Sequence, residues 1–436
     1  MSTAAPSASA KRDRRRHLFA AQSSIYREPL TLTHGQGSRV FDDAGRAYVD
    51  AYGGIATNTL GHNHPALVAA IAEQVGRLMH TSTLYDTEPL LDLVEALAGA
   101  APAGMSKVFV ANSGSEANEM AALVATHARN SSELLALQHA YHGRTSYTIA
   151  MAGMSNWRNY GPQSSGVQFV PNPYCYRCPL GLEYPSCEIA CAKAVKTTIE
   201  TQTSGAPAAL IAETVAGVGG IIAPPPEYFK VLKETLAPFG TLLVADEVQT
   251  AWGRLGDGLF AMPSTYETIP DIITSAKGLG SGVPISVVIT RPEIADSFKG
   301  PHINTFGGNP VSARAGLITL ETIGRDDLIA NARRQGANML AALREMQRSH
   351  RIVGDVRGRG LMLGVELVKD RAAKSPAPEA ATAVLEGMRE RGVLIGRGGR
   401  WGSVLRIQPP LVFGDTETGE MLAALDSALA AAPHGL

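Results

Sequence analysis

From residue 107 onward, short unbroken apolar runs alternate with longer stretches whose apolar positions recur every three or four residues. The runs are "KVFVAN" (107–112), "LLALQ" (134–138), "AALIAE" (208–213) and "TLLVAD" (241–246). Between them lie "EANEMAALVATHA" (116–128) and "PEYFKVLKETLAPFG" (226–240). Strands that are apolar on both faces and separated by helices predict a parallel sheet covered on both sides. Ligands in open sheets of this kind sit beyond the carboxyl ends of the strands. Asn112, Glu213, Asp246 and Lys277 all fall at or just past such ends.

The two ends of the chain have a different texture. In "SRVFDDAGRAYVDAYGG" (38–54) short strands flank an Asp-Ala-Gly turn, and "HPALVAAIAEQVGRLM" (64–79) follows with helical spacing. After about residue 320 comes a long helix, "DDLIANARRQGANMLAALREMQRS" (326–349), then "IVGDVRGRGLMLGVELV" (352–368), a strand pair with a Gly-rich turn. A further helix (379–392), the strand "VLRIQPPLVF" (404–413) and a terminal Ala/Leu helix complete an α+β unit. No internal repeat is evident.

Composition narrows the class of protein. The chain has 436 residues, 45% hydrophobic and 18% charged, with a net charge of -1. This is ordinary globular composition with material for a sizeable core, and it argues against nucleic acid or an acidic membrane surface as partner. The apolar runs are strand-sized, so no bilayer-spanning segment is expected. "MSTAAPSASAKRDRRRH" (1–17) lacks the apolar stretch of a secretory signal. It is as rich in Arg and Ser as a mitochondrial presequence, but it reads as an arm, and a cytoplasmic location is the expectation. All four cysteines, Cys175, Cys178, Cys187 and Cys191, fall within 17 residues. That C-x2-C…C-x3-C spacing suits zinc or an iron–sulfur cluster. The Pro/Tyr-rich surroundings suit a packed surface loop equally, no other motif needs a metal, and none is assigned.

Three stretches carry candidate chemistry. "VFVANSGSEANEMAAL" (108–123) is a strand, a Ser-Gly-Ser turn and a helix start, with Ser113 and Glu116 spaced as a capping box. A helix start presents unpaired N–H groups and partial positive charge, so Gly114 and Ser115 are candidate phosphate holders. By itself the stretch is equally a plain capped helix. "TLLVADEVQTAWGR" (241–254) ends a buried strand on Asp246 and Glu247 with no basic neighbour in sequence. A buried carboxylate wants a cationic partner, and a protonated pyridine nitrogen is one; an Asp capping the next helix is the alternative. "TSAKGLGSGVP" (274–284) puts Lys277 ahead of three glycines in five residues. A lysine so confined makes chemical sense if its amine gives up its proton, since burial favours the neutral form. An exposed loop lysine is the ordinary alternative. "GLGSG" falls short of a dinucleotide fingerprint because Val283 stands where the third glycine is needed. His62 and His64 in "GHNHP" lack acidic or thiol companions and read as turn and packing residues.

A phosphate cup, a pyridinium partner and a strand-end lysine, in this order, fit one cofactor. The chain resembles the class III aminotransferases, which are fold-type-I pyridoxal phosphate enzymes. The resemblance runs from about Leu30 to the last helix through "LGHNHP", "NSGSEAN", "AYHGRT", "ADEVQTAWGR", "SAKGLGSG", "NTFGGNP" and "VRGRGLMLGVEL". It implies an α/β fold-type-I transferase with a large domain (66–320), whose mostly parallel sheet is covered by helices. A smaller α+β domain comes from the two chain ends (31–65 and 321–436), and an N-terminal arm (1–30) precedes it. The implied roles make Lys277 the catalytic lysine that carries the cofactor as a Schiff base and shuttles the proton. Asp246 is the implied partner of the pyridine nitrogen. Val248 and Tyr141 take the two ring faces and Gln249 the phenolic oxygen. Gly114 and Ser115 hold the phosphate, joined by Thr305 of a neighbouring subunit, which implies an obligate homodimer, or a tetramer built from it. Ser113, His142 and Glu213 complete the implied cofactor-binding set.

For the substrate, the resemblance implies a switch pair in which Arg406 takes a carboxylate or folds back on Glu213. Ile55 and Arg144 match positions of 4-aminobutyrate aminotransferases, where the arginine grips a distal carboxylate. The implied reaction moves an amino group from an ω- or β-amino acid, or alanine, to a 2-oxo acid such as pyruvate, glyoxylate or 2-oxoglutarate. A racemase or phospho-lyase on the same scaffold, or a non-catalytic subunit, is the alternative. The chain departs from the family pattern at "ETVAG" (213–217), where Thr214 and Ala216 alter the surroundings of Glu213, and at "QTAWGR", which places Trp252 near the cofactor entrance.

Overall fold

The computed structural model describes residues 14–22, 24–158 and 166–433; the first thirteen residues of the expected arm lie outside them. At the N-terminal end, β2 (Arg39–Asp42) and β3 (Ala47–Asp50) form the expected short strands, and β1 (Leu32–Gln36), which lies ahead of the stretch read as strand, pairs with β2. The Asp42 carboxylate accepts from the N–H groups of Ala44 and Arg46 and so closes the turn between β2 and β3.

The four apolar runs become strands of a single sheet, completed by three more. Its members are β4 (Lys107–Ala111), β5 (Leu134–Leu137), β6 (Val167–Val170), β7 (Ala209–Glu213), β8 (Leu242–Asp246), β9 (Ile272–Ser275) and β10 (Ser286–Thr290). The seven strands run in the order β4-β10-β9-β8-β7-β5-β6. From β6 through β9 all pairs are parallel, while β10 is antiparallel to both β9 and β4. Successive side chains of a strand point to opposite faces, and here both faces are apolar and covered. Leu210, Ala212, Leu243 and Ala245 enter one core, and Ile211 and Val244 enter the other with Ala117, Ala121 and Val124 of the helix Gly114–Arg129.

The C-terminal region supplies β11 (Val353–Arg359), β12 (Met362–Asp370), the short β13 (Ser375–Pro376), β14 (Val393–Leu394), β15 (Gly396–Gly398) and β16 (Val404–Ile407). One sheet runs β11-β12-β16-β15, and β14 pairs in parallel with β3, which joins the two ends of the chain. The expected strand 404–413 stops at Ile407 because Pro409 and Pro410 have no N–H for a ladder. Among the described residues no helix is long and apolar enough to cross a membrane.

Candidate active site

Beyond the carboxyl ends of β4, β7, β8 and β9 lies a cavity of about 350 Å³. Its lining includes Ser113, Gly114, Ser115, Tyr141, His142, Glu213, Asp246, Val248, Gln249 and Lys277, so the sequence-predicted cofactor residues converge there, Thr305 excepted. Ser113 caps the helix Gly114–Arg129 by accepting from Glu116 N at 3.3 Å. The Glu116 carboxylate does not return to the Ser113 N–H as a full capping box requires. It accepts from the Ser113 hydroxyl (2.9 Å), Asn112 N (3.2 Å) and the Asn112 side-chain amide (3.0 Å). The first N–H groups of a helix have no intrahelical acceptor, and those of Gly114 and Ser115 edge the cavity. A Cβ on Gly114 would stand 2.9 Å from a Val248 methyl, so Val248 can approach the cup only because residue 114 is glycine.

Asp246, at the end of β8, is buried and fully engaged. Oδ1 accepts from Val248 N at 3.0 Å, while Oδ2 accepts from the Asn118 amide at 2.8 Å and lies 2.7 Å from His142 Nδ1. Asn118 is itself oriented by the Thr274 hydroxyl at 2.6 Å and also donates to the His142 carbonyl. His142 Nε2 is buried with no partner among the described residues. Sequence reasoning found Asp246 but not Asn118, whose helical spacing looks like plain packing.

Lys277 follows β9 with φ +34°, a left-handed conformation that costs a side-chain-bearing residue on the order of 1–3 kcal/mol. Trp252 donates from Nε1 to the Ala276 carbonyl at 3.2 Å and helps to hold this turn. Trp252 is therefore a fully buried support beneath the lysine and not an entrance residue; its flat apolar ring fills the core that the small residues around Lys277 leave open. Burial lowers the Lys277 ammonium to a pKa of about 8, Asp246 and Glu213 opposing the shift and Arg406 adding to it.

A second cavity, about 610 Å³, shares Tyr141, Gln249 and Lys277 with the first. Ile55 and Arg406 line it as expected, together with Tyr52, Trp157, Arg397, Arg400 and Trp401, which sequence reasoning missed. The "GRGGRWG" run (396–402) was the available signal: arginines in a Gly-rich turn have room to face a ligand.

The implied Glu213–Arg406 pair is not formed. Both Glu213 oxygens are taken by backbone donors, Tyr141 N and Gly217 N, each at 2.8 Å. Burial, and next the Asp246 charge, push its carboxyl up to about 7. Arg406 instead donates to Tyr52 OH (2.9 Å), Gln249 Oε1 (3.1 Å) and Gln408 Oε1 (2.9 Å). Both Glu213 oxygens are thus occupied, and Arg406 is held by its two terminal nitrogens while its Nε is buried with no partner among the described residues. Arg144 also departs from expectation. It is exposed, lines neither cavity, donates to the Trp157 carbonyl at 3.1 Å and has its guanidinium 5.8 Å from the centre of the Trp157 ring. Thr305 is exposed and lines neither cavity of its own chain. The four cysteines are free thiols around a small apolar cavity of about 20 Å³, and burial raises Cys191 to about 11. Among the described residues no group of three or more potential ligands is placed to hold a metal.

A primary amine, a buried carboxylate and helix-start N–H groups around one cavity form the donor set that pyridoxal phosphate requires for its aldehyde, ring nitrogen and phosphate. The residues fit that group. The family model of the class III aminotransferases matches residues 21–429. The chain belongs to that family and is a pyridoxal-phosphate-dependent aminotransferase. It is 39% identical over 414 residues to alanine–glyoxylate aminotransferase 2 homolog 2, mitochondrial, of Arabidopsis thaliana, covering 95% of this chain and 85% of that one. A leucine/methionine racemase of Thermococcus litoralis is 37% identical over 428 residues, 97% and 96% of the two chains. An amine transaminase from an uncultivated Pseudomonas species, solved with pyridoxal phosphate bound, matches with a TM-score of 0.90 at 30% identity over 96% of this chain and 98% of that one.

Proposed function

We propose that this aminotransferase moves an amino group from an ω- or β-amino acid such as 4-aminobutyrate or β-alanine, or from alanine, to a 2-oxo acid. The reaction proceeds in two half-reactions at one site. The observation that carries this reading is that Lys277, Gln249 and Tyr141 line both cavities, so a substrate held beside Arg406 reaches the same amine that faces the phosphate cup. Pyridoxal phosphate, when bound, supplies the electron sink.

The chain's own residues do the rest. Lys277 anchors the cofactor and, once freed by substrate, takes a proton from the substrate carbon and returns it at the other end. Asp246, oriented by His142 and Asn118, keeps a proton on the ring nitrogen. Gly114 and Ser115, with the Ser113 cap beside them, hold the phosphate, while Val248 and Tyr141 confine the ring. Because the Gln249 oxygen is occupied by Arg406 and Gln408, its amide nitrogen is left to donate to the phenolic oxygen. Arg406 takes the α-carboxylate. Glu213 ties the Tyr141 segment to the Gly217 turn by accepting from one backbone N–H of each. The exposed Thr305 reaches the phosphate of a second copy in a homodimer, and the enzyme works in the cytoplasm.

A panel of amino donors against pyruvate, glyoxylate and 2-oxoglutarate tests the reading. Parallel double-reciprocal plots and strict dependence on the oxo acid support it. Racemisation or elimination without an acceptor overturns it.

A further inference from the structure

Trp401 lines the larger cavity from the turn between β15 and β16. Gly399 and Gly402, with φ of +82° and +65°, frame that turn and carry no side chain that could brace the ring. Two guanidiniums lie against it instead: Arg400 at 5.5 Å from the ring centre and Arg177 at 4.8 Å. Both fall within the ~6 Å over which a cation is attracted to an aromatic face.

The two arginines are not equivalent. Arg400 is exposed and belongs to the same turn, so it cannot fix the ring relative to the rest of the fold. Arg177 comes from the cysteine-bearing loop and is anchored outside the turn. Its Nε donates at 2.6 Å to Glu366 Oε1, a fully buried carboxylate on β12. The loop around it is tied down as well. The buried Tyr174 donates its hydroxyl to Glu366 Oε2, and Lys374 donates to the Tyr176 carbonyl at 2.8 Å. Arg177 Nη2 is buried with no hydrogen-bond partner among the described residues. Much of the guanidinium charge therefore faces aromatic rings, that of Trp401 and, at 5.3 Å, that of Tyr176.

We infer that Arg177 is a positioning residue for the substrate cavity: it clamps the Trp401 wall to the buried Glu366, and the cysteine-bearing loop is the mount that carries it. This deepens the transamination reading and rests on it, because it takes the larger cavity as the place where substrate is held. The four thiols enter only as packing around the small apolar cavity inside that mount. A ring released from the clamp must be ordered again at each binding event. The lost contact is therefore read in KM and not in the chemistry at Lys277.

The test uses Arg177→Met and Arg177→Lys in the holoenzyme, each with and without Trp401→Ala. Removing Arg177 leaves Glu366 bonded to Arg357 at 2.7 Å and to Tyr174, so the buried carboxylate keeps its partners and the fold should stand. First, acrylamide quenching is measured without substrate. The chain has three tryptophans, and the difference from a Trp401→Phe counterpart isolates this ring. Trp401 should become more quenchable in Arg177→Met and partly recover in Arg177→Lys. Second, KM for the amino donor should rise about three- to tenfold in Arg177→Met, the worth of one cation–π contact, while kcat changes by less than about twofold. In the Trp401→Ala background the same substitution should add nothing, since the clamp has no ring to hold. Unchanged quenching, a lower melting temperature with unchanged KM, or an equal KM loss in the Trp401→Ala background overturns the inference. Increased quenching in Arg177→Met of an enzyme that transaminates no donor would instead overturn the functional reading and leave the clamp standing.

Discussion

Arg406 donates from Nη2 to the Gln249 side-chain oxygen at 3.1 Å, linking residues 157 positions apart in the chain. One bond thereby connects the arginine of the larger cavity to a residue that lines both cavities. Arg406 stands ready for a carboxylate without first leaving an ion pair, since Glu213 is held by backbone donors.

Arg406→Ala should raise KM for every 2-oxo acid by about 10- to 100-fold, the range for losing a hydrogen bond to a charged group. Glu213→Gln should act differently. An amide places N–H where one of two backbone donors now points, so kcat and thermal stability should fall more than acceptor KM rises. Steady-state kinetics on both variants decide it. A matching KM rise in Glu213→Gln would show that the carboxylate does act on the arginine.

Lys277→Ala should abolish turnover while still binding pyridoxal phosphate through the cup and ring contacts. After borohydride treatment, intact-mass measurement should find cofactor attached to the wild type only. Covalent capture by apo protein should speed up as pH rises through about 8, because the neutral amine is the nucleophile and burial lowers its pKa from 10.5. A midpoint at 10.5 would mean an unburied amine.

Asp246→Asn should slow turnover by about 10³-fold or more, since the ring nitrogen would no longer keep its proton. His142→Phe removes the group 2.7 Å from Asp246 Oδ2 but leaves the Asn118 donor, so its loss should be smaller, about tenfold. Single-turnover rates at saturating donor measure both. A near wild-type rate in Asp246→Asn would assign the ring proton to another group.

Glu247 is fully buried, and its carboxylate accepts from Ala261 N (2.6 Å) and Met262 N (2.7 Å). Burial nevertheless raises its pKa from 4.5 to about 7. The folded chain keeps this proton up to about pH 7, whereas the unfolded chain loses it near 4.5. The group's contribution to stability is therefore largest below 4.5 and is lost as pH rises to about 7. Melting temperatures from about pH 5 to 8 should show the wild type falling relative to Glu247→Gln as pH rises, then running parallel above that window. Parallel curves throughout would mean that Glu247 is already ionised at pH 5.

Much of the molecule was legible in the sequence because its signals are local. Unbroken apolar runs gave β4, β5, β7 and β8, since a strand buried on both faces has no polar positions to alternate. The Ser-Gly-Ser turn, the strand-end Asp246 and the confined Lys277 marked one cavity, because the end of a strand in a parallel sheet is where ligands meet the chain. What tertiary structure alone decided lies in contacts between distant segments. Only packing could set Asn118 on Asp246, put Trp252 under Ala276, or turn Arg144 outward onto Trp157. The partners of Arg406 and Glu213 were likewise undetermined. A guanidinium or carboxylate takes whichever donors and acceptors the folded chain brings within about 3 Å, and nothing in a linear sequence fixes that distance.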